Sequence, residues 1–148
     1  SRWVAGFMHF PDAESLGIKC PRVRDFVKTA LSSMEGSAAG TEGVPGQMVL
    51  EHRRMVQAAK GLLKKITQPA LVIHSREDDY AALDNAHFVQ KELGGEVQMV
   101  VLNDSYHMIT LDRERHVVVD RTRAFIERLV SGVQVGLAGE PRELLAVA

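Results

Sequence analysis

The sequence predicts an α/β fold in which parallel strands alternate with crossover helices. Between about residues 48 and 130 the pattern reads helix, strand, loop, helix, strand, loop, helix. Both strand segments are short apolar runs, which are typical of strands buried in a parallel sheet. Each is followed by a polar loop and then by apolar residues at helical spacing, so the connections are expected to be right-handed crossovers.

Composition agrees with a globular chain and excludes several functional classes. The 148 residues are 45% apolar and 25% charged, with a net charge of −1, enough apolar side chains for a core. The near-zero charge argues against a nucleic-acid binder. No apolar run approaches the roughly 18 residues that a membrane span requires. The single cysteine, Cys20, excludes an internal disulfide framework and a zinc site built from several thiolates.

Residues 1–47 form a first zone, which is expected to be mostly helical or irregular. Its aromatic cluster between Trp3 and Phe10 would either pack within this zone or line an apolar channel. Apolar side chains at helical spacing predict a helix over residues 22–34. Residues 35–46 are rich in glycine and include a proline, so they are predicted to be a mobile loop.

Residues 48–130 form a second, periodic zone that carries the predicted α/β layer. Asp84 or Asn85 is expected to cap its middle helix, and Gly94 and Gly95 to end it. The predicted elements are a helix over 48–63, a strand over 70–74, a helix over 85–93, a strand over 97–102 and a helix over 113–130. Residues 131–148 are expected to be a loose C-terminal tail.

Polar side chains follow both predicted strands, where the carboxyl ends of parallel strands meet at one edge of the sheet. They are Glu77, Asp78 and Asp79 after the first strand, and Asp104, Tyr106 and His107 after the second. A buried carboxylate beside a histidine fixes the tautomer of the imidazole and stabilises its protonated form. The alternative is a divalent metal site with oxygen and imidazole ligands from Asp78, Asp79, His107 and His74.

Two segments carry a resemblance to a known family. Residues 66–78 resemble the penultimate core strand and acid loop of α/β-hydrolases. Residues 100–112, with the run Ser-Tyr-His-Met-Ile-Thr-Leu-Asp, are similar to the last core strand and histidine loop of the carboxylesterase and monoacylglycerol-lipase branch. The resemblance covers residues 48–130 well and residues 1–47 weakly, where that family has its variable cap. It implies the C-terminal half of an α/β-hydrolase fold.

The resemblance also implies roles for two residues. Asp78 matches the acid of a Ser-Asp-His triad and His107 matches its general base, in the chain order of the family. Asp79 is the rival for the acid, but Asp78 stands three positions after the small residue Ser75, as in the family motif. No metal or organic cofactor is implied.

The sequence contains no Gly-x-Ser-x-Gly nucleophile motif. The nearest string, residues 36–40, places Ser37 in a glycine-rich stretch with no strand before it. The resemblance implies that the nucleophile and the oxyanion loop belong to an N-terminal half that precedes Ser1. The expected parent is therefore a serine hydrolase that cleaves carboxylic esters, and this chain alone should be inactive. The alternative is a non-catalytic α/β-hydrolase-like module for binding or assembly.

The expected partners are a substrate and the missing part of the fold. The substrate is a small ester, and no nucleic acid or stable membrane span is expected. The chain should need the missing half of the fold or self-associate, because half of a sheet exposes an edge and an apolar face. The first residues lack the pattern of a signal peptide. The compartment is therefore left open, with the cytoplasm favoured.

Overall fold

A computed structural model describes residues 9–10, 14–33 and 44–137. Trp3, Ser37 and the predicted tail beyond residue 137 lie outside the described residues, as does most of the predicted glycine-rich loop. In chain order the elements are β1 (His9–Phe10), α1 (Pro21–Ser33), β2 (Val44–Pro45), α2 (Gly46–Lys60), a short 3-10 helix (Leu63–Lys65), β3 (Ala70–Ser75), α3 (Leu83–Glu92), β4 (Val97–Leu102) and α4 (Arg115–Leu137).

The predicted α/β class is confirmed by the pairing of β3 with β4. The two strands are parallel, with Ala70 opposite Val97 and Ser75 opposite Leu102. Because the strands are parallel, their carboxyl ends and the loops that follow lie at the same edge. This edge carries the candidate site.

The start of α3 differs from the prediction. Ala82, in extended conformation, is the N-cap, and no side chain caps the helix. The expectation that Asp84 or Asn85 caps it is therefore wrong. The carbonyl of Ala82 accepts a hydrogen bond from the amide of Asn85, and Asp84 lies in the first turn, where its charge favours the helix dipole.

Other boundaries also differ; for example, α2 ends at Lys60 and not at residue 63. The last helix, α4, continues past Val130 to Leu137, because Ser131 and Gly132 lower helix propensity without terminating a helix. Near the N-terminus β1 and β2 form an antiparallel pair. The predicted loop over 35–46 is therefore wrong at its end, since β2 and the start of α2 occupy residues 44–46. A two-residue strand is too short to show an alternating pattern.

Burial is concentrated at the carboxyl ends of β3 and β4. Each strand is only partly buried until its last residue, Ser75 or Leu102, which is fully buried. In contrast, the outward face of α4 exposes Val119, Ile126 and Val130. None of the helices within the described ranges is long and apolar enough to cross a membrane.

Candidate active site

Asp78 and His107 meet above the ends of β3 and β4. His107 Nδ1 lies 3.0 Å from Asp78 Oδ2 and 3.1 Å from Oδ1. The Asp78 side chain is 4% exposed, whereas that of His107 is 45% exposed. The pair thus combines a covered carboxylate with an imidazole that solvent, or another molecule, can reach.

The carboxylate of Asp78 is also held by its own turn. Its Oδ1 accepts hydrogen bonds from the amides of Tyr80 and Ala81, both at 2.8 Å, in an arrangement typical of aspartate-led turns. Burial raises the pKa of Asp78, but the hydrogen bonds from the Ala81 amide, the His107 ring and the Tyr80 amide outweigh it. The pKa of Asp78 therefore lies below its ordinary value, so the carboxylate is ionised at neutral pH.

Asp79, the rival acid, is directed elsewhere. Its Oδ2 accepts a hydrogen bond from the hydroxyl of Ser15. Its Oδ1 accepts a long one, 3.4 Å, from the backbone amide of His107. The structure therefore brings the carboxylate of Asp78 to the imidazole ring, and that of Asp79 to the backbone beside it.

Two more rings surround this pair. The ring of Tyr80 lies 5.1 Å from that of His107, tilted by 41°. His74 Nε2 lies 3.0 Å from the carbonyl oxygen of Ala81 and 3.6 Å from Asp78 Oδ2. With its proton on Nε2, His74 donates to the Ala81 carbonyl and so supports the turn that holds Asp78.

Buried polar groups tie the two loops together. The hydroxyl of Ser75 donates to the carbonyl of Ser105, and both residues are fully buried. Glu114 accepts hydrogen bonds from the Asp104 amide at 2.7 Å and the Ser105 hydroxyl at 2.9 Å. These bonds hold the second loop, which carries His107, against the end of β3 and the start of α4.

Asp112 is the most connected buried acid of the site and has no exposed surface. Its two carboxylate oxygens accept four backbone N–H groups, those of Lys19 at 2.6 Å and of Cys20, Tyr106 and Arg113 at 2.9 Å each. Burial raises the pKa of Asp112, but these four hydrogen bonds outweigh it and leave the pKa below its ordinary value.

Sequence reasoning missed this role of Asp112. The only sequence signal for it was an acidic residue at the end of the mostly apolar run of residues 108–112. Its amide partners come from segments far apart in the chain, which no local pattern connects.

An ion-pair cluster joins segment 14–20 to the same loops. Lys19 Nζ lies 2.5 Å from Glu77 Oε2 and 2.8 Å from Asp104 Oδ1. Arg113 Nη1 lies 2.9 Å from the same oxygen of Asp104. The hydrogen bonds from Lys19 to Asp104 and Glu77 raise the pKa of Lys19. Among the residues that the structure describes, no three His, Cys, Asp or Glu side chains are arranged to hold a metal ion.

Comparisons with known proteins find similarity to lipolytic enzymes. The chain is 27% identical over 113 residues to a thermostable monoacylglycerol lipase from a Bacillus species, covering 76% of this chain and 45% of the lipase. It matches a solved structure from work on LipS and LipT, two metagenome-derived lipolytic enzymes. That match has a TM-score of 0.54 and 24% identity, over 76% of this chain and 51% of the other. No protein-family model matches.

The chain thus spans about half the length of both proteins. The solved structure supports the fold, and the lipase supports the sequence resemblance. Together they confirm that, over part of its length, this chain resembles the α/β-hydrolases of the esterase and lipase type and has a partial fold of that class.

Proposed function

We propose that this chain is the C-terminal portion of a serine hydrolase that cleaves carboxylic esters. It would supply the acid, Asp78, and the general base, His107, while the nucleophilic serine lies outside these 148 residues. One observation carries the proposal: the buried carboxylate of Asp78 is hydrogen-bonded to Nδ1 of the half-exposed His107, at the edge where two adjacent parallel strands end.

The chemistry follows from the atoms in contact. A carboxylate that accepts the Nδ1 proton leaves Nε2 of His107 free to accept another. A serine hydroxyl placed at Nε2 would lose its proton to His107 as its oxygen attacks the ester carbonyl. His107 would then return that proton to the leaving alcohol, and water would repeat the sequence on the acyl-enzyme. No metal or organic cofactor takes part in these steps.

The substrate class rests on the relatives. One is named a monoacylglycerol lipase, and the other comes from work on lipolytic enzymes. We therefore assign to the complete protein a carboxylic ester of the monoglyceride type. The second candidate is a non-catalytic module of the same fold, which the lack of a Gly-x-Ser-x-Gly motif in the sequence favours.

The test is ester hydrolysis by the complete protein that contains this chain, with a monoacylglycerol and an activated short-chain ester as substrates. His107→Ala should lower kcat by about 10²- to 10⁴-fold, because the serine loses its base. His87→Ala is the matched control, since His87 is exposed on α3, and should leave kcat unchanged. Hydrolysis that is insensitive to His107→Ala would refute the role of this residue. No hydrolysis by the wild type would favour the non-catalytic module.

A further inference from the structure

The backbone of His107 is held on both sides. On one side the amide of Tyr106 donates to Asp112 Oδ2 at 2.9 Å. On the other, the amide of Met108 donates to the carbonyl of Gly17 at 2.7 Å. Both neighbours of the histidine are therefore held by hydrogen bonds, one to Asp112 and one to segment 14–20.

Both ties lead to the same carboxylate. Asp112 accepts hydrogen bonds from the amides of Lys19 and Cys20 at 2.6 and 2.9 Å, and these residues lie in the same segment, 14–20, as Gly17. Asp112 thus holds Tyr106 directly, and it holds Met108 through the segment to which Met108 is bonded.

Segment 14–20 also presses against the histidine itself. Leu16 and Gly17 both have left-handed backbone conformations, with φ of 52° and 69°. A Cβ atom built on Gly17 would lie 2.9 Å from the Cβ of His107. The left-handed conformation is unfavourable for Leu16 unless the surrounding structure fixes it, whereas glycine adopts it freely. The hydrogen bonds from the Lys19 and Cys20 amides to Asp112 restrain this segment.

We propose that Asp112 is a positioning residue for His107, acting by clamping the backbone on both sides of the histidine through Tyr106 and through segment 14–20. This inference rests on the proposed function, because positioning matters for catalysis only if His107 is the base. The hydrogen bonds of Asp112 all come from backbone amides and none from the imidazole. Its proposed role is nevertheless to determine the position of that imidazole.

The clamp requires a carboxylate. All four partners of Asp112 are N–H donors, shared two to each oxygen. In Asp112→Asn one oxygen becomes an NH₂ group, which faces two of these donors whichever way the amide turns. The substitution therefore breaks two backbone hydrogen bonds at nearly constant volume.

The expected consequence is a misplaced imidazole. His107 is 45% exposed, so burial does little to fix its ring. The position of Nε2 then depends on the bond from Nδ1 to Asp78 and on the backbone that the clamp holds. A displacement of about 1 Å in a catalytic group can lower the rate by about 100-fold. The effect should fall on kcat, because the clamp acts on the base, which transfers its protons in the chemical step.

The experiment compares two matched pairs of variants in the complete protein. Asp112→Asn is paired with Asp120→Asn, the same change at an exposed position on α4. Gly17→Ala, which would push directly on His107, is paired with Gly132→Ala, where an added Cβ would meet nothing within 4 Å. The readouts are the NMR signal of the His107 Nδ1 proton, and kcat and KM for ester hydrolysis.

We expect Asp112→Asn and Gly17→Ala to lose or shift the Nδ1 proton signal and to lower kcat about 10- to 100-fold, with KM changed less than about twofold. Both controls should match the wild type. If Asp112→Asn does not fold, Asp112→Glu takes its place, because it keeps the carboxylate but displaces its oxygens from the four amides. Gly17→Ala shows how large an effect a directly displaced His107 produces. An unchanged Nδ1 signal and kcat in the folded variants would overturn the proposal, even if their melting temperatures fall. If His107→Ala leaves hydrolysis intact, the proposed function fails instead, while the NMR comparison still tests the clamp.

Discussion

At the residue scale, Asp78 performs two tasks with one carboxylate. It closes its own turn by accepting the Tyr80 and Ala81 amides, and it accepts the Nδ1 proton of His107. The two amide hydrogen bonds keep the carboxylate oriented towards His107, because a carboxylate fixed in this way does not rotate away from the ring. The exposed neighbour Asp79 is bonded to the Ser15 hydroxyl and the His107 amide, and not to amides of its own turn.

We predict that Asp78→Asn in the complete protein lowers kcat by roughly 10²- to 10⁴-fold, because an amide no longer enforces the tautomer that leaves Nε2 free. The loss should be smaller than that for His107→Ala. The matched control is Asp79→Asn, which should retain most of the activity in the same ester assay. A reversed order, with Asp79→Asn the more damaging, would reassign the acid.

A second prediction at this scale concerns acid stability. The pKa values of Asp78, Asp112 and Glu114 all lie below their ordinary values of 3.8 for Asp and 4.5 for Glu. In each case burial raises the pKa and hydrogen bonds to the ionised form outweigh it. Since the folded state then binds fewer protons than the unfolded state, these groups stabilise the fold above the ordinary pKa values, and that stability is lost as pH falls through and below them.

The melting temperature of the complete protein should therefore fall as pH drops below about 4.5. Asp112→Asn should melt lower at neutral pH but lose less on acidification, because one of the linked carboxylates is gone. The exposed-site variant Asp120→Asn should follow the wild type. A melting temperature that is flat from about pH 6 to about pH 3 would contradict this linkage.

At the element scale, the strands were the most predictable part of the fold. β4 was predicted with its observed limits and β3 to within one residue, because apolar runs bounded by a proline or polar loops are distinctive. The cap of α3 and the end of α4 were wrong. Those boundaries depend on loop geometry and on residues such as Ser131 that only weakly disfavour a helix.

The Asp78–His107 pair was predictable from the sequence, whereas the buried residues that support it were not. Asp78 and His107 follow strands, so their meeting above one edge could be expected from topology and from the resemblance. Ser75, Ser105 and Asp112 contact backbone groups of distant segments. Such contacts leave no periodicity in the sequence, and only the folded arrangement reveals them.

The bond between Ser75 and Ser105 provides the prediction at this scale. Ser75→Ala removes the hydroxyl that donates to the buried Ser105 carbonyl and should destabilise the complete protein by about 1–3 kcal/mol, as measured by urea unfolding. Ser33→Ala is the control, since the Ser33 hydroxyl is exposed on α1 and donates within its own helix. A loss no larger than that of the control would mean that this bond does not join the loops.

At the scale of the whole molecule, the exposed surfaces indicate missing contacts. β3 and β4 are only partly buried along most of their length, and α4 exposes Val119, Ile126 and Val130. The matched part of this chain covers only about half of each relative. An apolar face of this kind is typical of a surface that another element covers.

We therefore predict that the 148 residues expressed alone self-associate or fail to fold cooperatively. Size-exclusion chromatography with light scattering and thermal melting would measure this. Changing Val119 and Ile126 together to Asp should reduce the association, because charged side chains oppose burial of that face. A monomeric chain that melts cooperatively would contradict the prediction.

We propose that this chain supplies the acid and the base but not the nucleophile. To test this, the complete protein is treated with a fluorophosphonate, which reacts covalently with activated serines, and the adduct is located by peptide mass spectrometry. We expect one adduct, on a serine outside these 148 residues, with a labelling rate that falls sharply in His107→Ala. An adduct on Ser37, Ser75 or Ser105, or labelling that is indifferent to His107, would contradict it.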